Sequence, residues 1–139
     1  MHLPKNFEFE DVYPVIFFLH GKGGKMEQFP GILQKFVNTH RFIGIYPQGY
    51  LNSWNLGKEP SKANDIYFIA SIVENLEKVQ KLKSVNYFAV GFSNGGGLVN
   101  KLVLETNIFN SVAVLVSQLT EELLNNSNTV NKTSVLQIN

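Results

Sequence analysis

Val85-Asn86-Tyr87-Phe88-Ala89-Val90-Gly91-Phe92-Ser93-Asn94-Gly95-Gly96-Gly97-Leu98 decides how this chain is read. An apolar run of strand length meets Gly91-Phe92-Ser93-Asn94-Gly95, a G-x-S-x-G sequence, and a helical pattern follows. That is the sequence of a nucleophile elbow, in which a tight strand-to-helix turn lifts one hydroxyl above a sheet. Gly91 and Gly95 flank a turn too tight for side chains at those points. Gly96 and Gly97 are poor helix formers, each worth about 1 kcal/mol less than Ala. Three glycines at a helix start predict close approach of that helix to the sheet or to a ligand.

Working outward, strands and helices alternate. Val15–Leu19 is a continuous apolar run, which predicts a strand buried on both faces of a parallel sheet. His20-Gly21-Lys22-Gly23-Gly24 is a loop. Met26, Phe29, Leu33, Phe36 and Val37 recur at helical spacing through residue 38, with Pro30 tolerated in the first turn. Phe42–Tyr46 is a second buried strand, closed by Pro47-Gln48-Gly49. A long loop over Tyr50–Lys62 carries Trp54. Asn64 and Asp65 offer a helix cap before the stripe Ile66, Ile69, Ala70, Val73 and Leu76. Val85–Val90 is the third strand and Ser111–Val116 the fourth. Thr120–Leu124 suggests a helical turn, Leu119 to Thr133 is polar and Asn-rich, and Ser134–Ile138 starts a fifth strand. The expected fold is a three-layer α/β domain over residues 1–139 with a mainly parallel sheet of about five strands.

Composition bounds the function. Hydrophobic residues make up 44% and charged residues 17%, enough apolar material for a core. A net charge of +1 implies no field that would draw nucleic acid or an anionic membrane. There is no cysteine, which excludes disulfides and thiolate metal sites. No two of the three histidines share a ligand spacing, so no metal is expected. Gly21-Lys22-Gly23-Gly24-Lys25 lacks the spacing and the Ser or Thr of a phosphate-binding P-loop. The N-terminus lacks the pattern of a signal peptide, so a cytoplasmic protein is expected, and a secreted one only if the native N-terminus is missing. Short Lys pairs such as Lys81 and Lys83 read as a solvated helix end.

A serine hydroxyl needs a base within hydrogen-bond reach and donors aimed at the developing oxyanion. The elbow would supply Asn94 N–H as one donor. The loop after the first strand would supply Lys22 N–H as the other.

These pieces resemble the α/β-hydrolase superfamily, and within it the esterases grouped as polyhydroxybutyrate depolymerases and feruloyl esterases. The resemblance runs through Tyr13–Gly21, Tyr46-Pro47-Gln48-Gly49, Ser53-Trp54-Asn55, Asn64–Ile69 and Gly91–Gly96. It implies cofactor-free hydrolysis of a small or polymeric carboxylic ester through an acyl-enzyme on Ser93. It also implies Trp54 and His20 on the substrate side. For Trp54 an aromatic closing the core fits the residues equally well, and for His20 the residues favour a structural role in the oxyanion loop over a substrate contact. Asp65, which precedes the serine, reads as a helix cap rather than a catalytic acid.

The order in this fold is serine, acid, histidine. After Ser93 the chain has no histidine and no aspartate, only Glu105, Glu121 and Glu122. The sequence therefore reads as an esterase-like domain incomplete at both ends. Weak or absent activity alone, completion by a second chain, and a non-catalytic binding module are three outcomes consistent with it. An unpaired sheet edge, open to self-association or to a complementing chain, is a further expectation.

Overall fold

The computed structural model describes residues 1–9, 11–79, 86–125 and 133–138. Strands β1 (Val15–Leu19), β2 (Ile43–Ile45), β3 (Tyr87–Phe92), β4 (Ser111–Leu115) and β5 (Ser134–Ile138) form one sheet in the order β2-β1-β3-β4-β5. Every neighbouring pair is parallel, with Leu19 opposite Gly91 and Phe92 opposite Leu115. Helices α1 (Gln28–His40), α2 (Asp65–Lys78), α3 (Asn94–Glu105) and the short α4 (Glu121–Asn125) connect them. Strand β3 begins at Tyr87, and Val85, Lys81 and Lys83 lie outside the described residues.

Parallel strands need crossovers, and crossovers are right-handed. From β1 the chain steps one way to β2, then turns back across β1 to reach β3, β4 and β5. Opposite steps with one handedness put α1 on one face of the sheet and α2 and α3 on the other, giving three layers. The direction reverses between β1 and β3. Open α/β sheets bind ligands at the carboxyl ends of the strands at such a reversal. Those ends are Leu19-His20-Gly21 and Phe92-Ser93.

The main core lies on the α2 and α3 face. Val15, Phe17, Leu19, Ala89, Val112 and Val114 meet Ile69, Val73 and Leu76 of α2 and Leu98, Val99 and Leu102 of α3. Every second strand residue is buried there, as the two-residue strand period requires.

The α1 face is thinner than the sequence pattern predicts. Ile16 and Phe18 of β1 are only half-buried, so the strand is not buried on both faces. Of the α1 stripe, only Val37 is buried, while Met26 and Phe36 are exposed. Phe18 instead packs among the rings of Phe29, Phe42 and Tyr46. Among the described residues α1 is the helix on this face, and the ring cluster around Phe18 adds to its cover.

The sheet edges differ. Beyond β2, the backbone of His2 exchanges both hydrogen bonds with Gly44 in an antiparallel bridge (2.8 and 2.9 Å). At the other edge all five residues of β5 are exposed, including Val135, Leu136 and Ile138. Among the described residues, no helix is long and apolar enough to cross a membrane.

Candidate active site

Ser93 sits between the end of β3 and the first residue of α3, at φ 52° and ψ −118°. A non-glycine residue there costs about 1–3 kcal/mol and persists only where its surroundings over-determine it. They do so here. Ser93 N–H donates to Leu115 O (2.8 Å), and Ser93 O accepts from Gly97 N–H (3.0 Å). The strand on one side and the helix on the other hold the backbone. Ser93 is half-buried, and its hydroxyl makes no cap bond to its own helix.

The glycine after the elbow has a steric reason. A Cβ on Gly95 would run into the carbonyl oxygens of Leu19 and His20, so α3 can start only if its first turn passes bare against the end of β1. This is the close approach to the sheet that the glycine run predicts. It draws the β1 loop onto the serine: a Cβ built on Gly21 would lie 3.5 Å from Ser93 Cβ.

Lys22 N–H and Asn94 N–H have no hydrogen-bond partner among the described residues. Asn94 opens a helix, where the first N–H groups have no intrahelical acceptor. Lys22 is turned by its neighbour. In a trans peptide the C=O and the following N–H point opposite ways. Gly21 O is held by Gly24 N–H (2.9 Å) and by His20 Nδ1 (2.8 Å), which fixes the direction of Lys22 N–H.

His20 and Trp54 differ from the substrate-lining places that the resemblance implies. Trp54 is 0% exposed and His20 2%. His20 Nδ1 donates to Gly21 O, and Nε2 accepts from Gly49 N–H (3.0 Å) and Gln48 Nε2 (3.1 Å). Both ring nitrogens are occupied, so the imidazole is a strut and not a base for Ser93. Trp54 Nε1 donates to His20 O (2.7 Å), and the two rings lie 4.8 Å apart. The indole is the aromatic that closes the core beneath the loop.

Asn94 does more than the sequence reading gave it. Its Oδ1 accepts from Trp54 N–H (2.7 Å) and Ser53 Oγ (3.3 Å), and its Nδ2 donates to Trp54 O (3.1 Å). A relay thus runs from Asn94 through Trp54 and His20 to the Gly21 peptide. The paired signal was present in Ser53-Trp54-Asn55 and Ser93-Asn94, but no spacing rule joins residues 40 apart.

Asp65 is not the cap. Asn64 caps α2, its Oδ1 accepting from Tyr67 N–H (3.0 Å). Asp65 is the first helical residue and is buried, and its Oδ2 accepts from Asn55 N–H (2.6 Å). Burial raises its carboxyl above the usual range, with the Asn55 N–H and the Lys101 charge opposing.

The remaining candidates lie away from the elbow. His2 is on the β2 edge, and its Nδ1 is 3.4 Å from Tyr46 Oη. His40 is exposed at the end of α1, stacked on Phe36. Glu105 ends α3, about 16 Å along the helix from Asn94. Among the described residues, no histidine or carboxylate hydrogen-bonds Ser93.

The chain has the α/β-hydrolase fold, and its sequence is similar to that of esterases. It is 29% identical over 115 residues to NocK of Nocardia uniformis subsp. tsuyamanensis, which carries an esterase name; the match takes in 76% of this chain and 33% of that one. It is 28% identical over 125 residues to an Aspergillus niger protein that carries the name feruloyl esterase C, covering 83% of this chain and 44% of that one. The chain thus spans less than half the length of either relative. No family model matches. Two solved structures share the fold at TM-score 0.67 and 17% identity. A Bacillus cereus carboxylesterase matches over 92% of this chain and 65% of its own length. FphF of Staphylococcus aureus, a fluorophosphonate-binding serine hydrolase, matches over 94% and 55%.

Proposed function

We propose that this α/β-hydrolase chain is the nucleophile-bearing part of a carboxylic-ester hydrolase. Ser93 Oγ adds to the ester carbonyl carbon, and its proton passes to a base. The carbonyl oxygen becomes an oxyanion between Lys22 N–H and Asn94 N–H. The carbon–oxygen bond to the alcohol then breaks, and the alcohol leaves with a proton. Water cleaves the resulting acyl-serine and releases the acid. The reaction calls for no cofactor. The relatives carrying esterase names support ester hydrolysis in general.

The observation that carries this reading is the strained, doubly anchored Ser93 with a hydroxyl free of any cap bond, at the sheet's reversal point.

The activating acid and histidine are outside the residues described. We place them on a further polypeptide segment that adds beside β5, whose exposed Val135, Leu136 and Ile138 favour such a partner. The chain alone is then a weak catalyst. Hydrolases lacking triad members can keep about 10³–10⁴-fold acceleration over water from the oxyanion hole and binding.

The test is hydrolysis of 4-nitrophenyl acetate by the purified chain. The expected result is a small burst of nitrophenolate that Ser93→Ala abolishes. Equal release from both proteins would instead leave a binding module that has lost catalysis.

A further inference from the structure

Val116 is the one β-branched residue at positive φ (52°) among the described residues. That conformation is costly for a side chain branched at Cβ, and glycine or asparagine adopts it more readily. Val116 follows the last residue of β4, one position past the partner of Phe92.

The turn is held from three sides. Leu115 O accepts the Ser93 N–H (2.8 Å), and Val116 N–H donates to Ile138 O (2.8 Å). Gln137 Nε2 donates to Ser117 O (3.2 Å). A Cβ on Gly96 would lie 2.8 Å from Ser117 Cβ, so the chain passes close over the first turn of α3. These restraints explain the positive φ. They do not explain the valine, whose side chain is 60% exposed and adds little to the core. A strained and exposed apolar residue bonded into the peptide beside a nucleophile points to a ligand contact.

A second exposed apolar side chain adjoins the serine. Phe92 ends β3 on the face away from the main core and is 52% exposed. Its Cδ1 lies 3.1 Å, and Ser93 Cβ 3.5 Å, from the carbon that a side chain on Gly21 would add. Ring and nucleophile thus crowd the same glycine. Through the Leu115 carbonyl, Val116 Cα is at most about 6 Å from the Ser93 amide nitrogen. Side chains this near the nucleophile reach only the first few carbons attached to the reacting carbonyl. Neither carries a polar group, so an alkyl chain suits them.

We propose that Phe92 and Val116 form a wall that selects the acyl group of the ester, and that the group selected is a short unbranched alkyl chain. The assignment rests on the hydrolase reading of Ser93. Valine occupies a costly φ because asparagine or glycine would leave the chain without that contact.

Two measurements separate the wall from the chemistry. First, propan-2-one and hexan-2-one are titrated into the Ser93→Ala protein and followed by two-dimensional NMR. Half-burial of three further methylenes predicts about tenfold tighter binding of the longer ketone, with saturable shifts at Phe92 and Val116. Equal affinity, or shifts only elsewhere, overturns the proposal. Second, the nitrophenolate burst is timed with 4-nitrophenyl acetate and 4-nitrophenyl pentanoate. The Ser93-dependent burst should be about tenfold faster with the pentanoate. Val116→Asn and Phe92→Ala should each bring that ratio towards one. A ratio near one in the wild type, or a ratio unchanged in both variants, overturns the proposal. Val116→Asn should unfold at or above the wild-type midpoint, because asparagine accepts that φ. A lower midpoint would make the valine a packing residue and overturn the reading of its strain. Absence of any Ser93-dependent burst sinks the hydrolase reading and the acyl assignment, while the ketones still decide whether the wall binds an alkyl chain.

Discussion

Asn94 Oδ1 accepts the Trp54 backbone N–H at 2.7 Å, joining the residue after the nucleophile to a loop 40 positions earlier. The same side chain returns a bond to Trp54 O. The first turn of α3 thereby offers a backbone amide to the serine's side of the site and clamps the loop that supports the opposing amide.

Asn94→Ala should therefore act at two levels. Trp54 N–H and O lose their partners in a half-buried setting, which should cost about 1–3 kcal/mol of stability. Chemical denaturation measures that loss. Ser93 should also react more slowly with a fluorophosphonate, because the Trp54–His20 support of the Gly21 peptide slackens. Unchanged stability would remove the clamp from the account.

His20→Phe keeps a ring of similar size and removes both nitrogens. Gly49 N–H loses its acceptor and Gly21 O one of its two donors. The expected outcome is a lower unfolding temperature, with Ser93 labelling reduced about tenfold or more. The reduction should reflect a misdirected Lys22 N–H and not the loss of a base. Labelling should then keep the wild-type dependence on pH, whereas loss of a pH-dependent step would show His20 to be the base.

Gly95→Ala tests the packing of the elbow. The added methyl meets the carbonyl oxygens of Leu19 and His20, which belong to backbone and cannot step aside. A loss of about 1–3 kcal/mol or more is expected. The control is Gly31→Ala in α1, where nothing lies within 4 Å of the new carbon. That variant should be neutral or slightly stabilised, and thermal melts of the pair measure the contrast.

Asp65 gives stability a pH dependence of definite sign. Burial raises its carboxyl above the ordinary 3.8. Between that value and the folded one, the folded state holds a proton that the unfolded chain has released. Stability therefore falls as pH rises through this window and levels off above it. Asp65→Asn removes the titration while leaving an oxygen for Asn55 N–H. Urea midpoints across the acidic range should show wild type losing ground to Asp65→Asn as pH rises; a gain would contradict the burial argument.

Much of the fold was legible in the sequence because local pattern and global order agree. Runs such as Val15–Leu19 and Ser111–Leu115 can be strands, the helical stripes fall between them, and the G-x-S-x-G turn fixes where β3 must end. The site was legible in part. Ser93 and its glycines carry a local signature. The roles of Asn94, Trp54 and His20 arise from bonds across 28 to 41 residues, and no period in the chain records them. An aromatic in a polar loop fits a ligand contact and a core-closing ring equally well, and Trp54 is wholly buried because α3 and the β1 loop close over it. The α1 stripe misled for the opposite reason: apolar spacing reports a face, not how completely a neighbour covers it.

The most direct measurement is intact mass and peptide mapping after exposure of the purified chain to a fluorophosphonate. One adduct on Ser93, lost in Ser93→Ala and slowed in Asn94→Ala, is the result expected of an elbow serine facing two free amides. A chain that takes no adduct, or takes it on another residue with Ser93 untouched, would contradict the account.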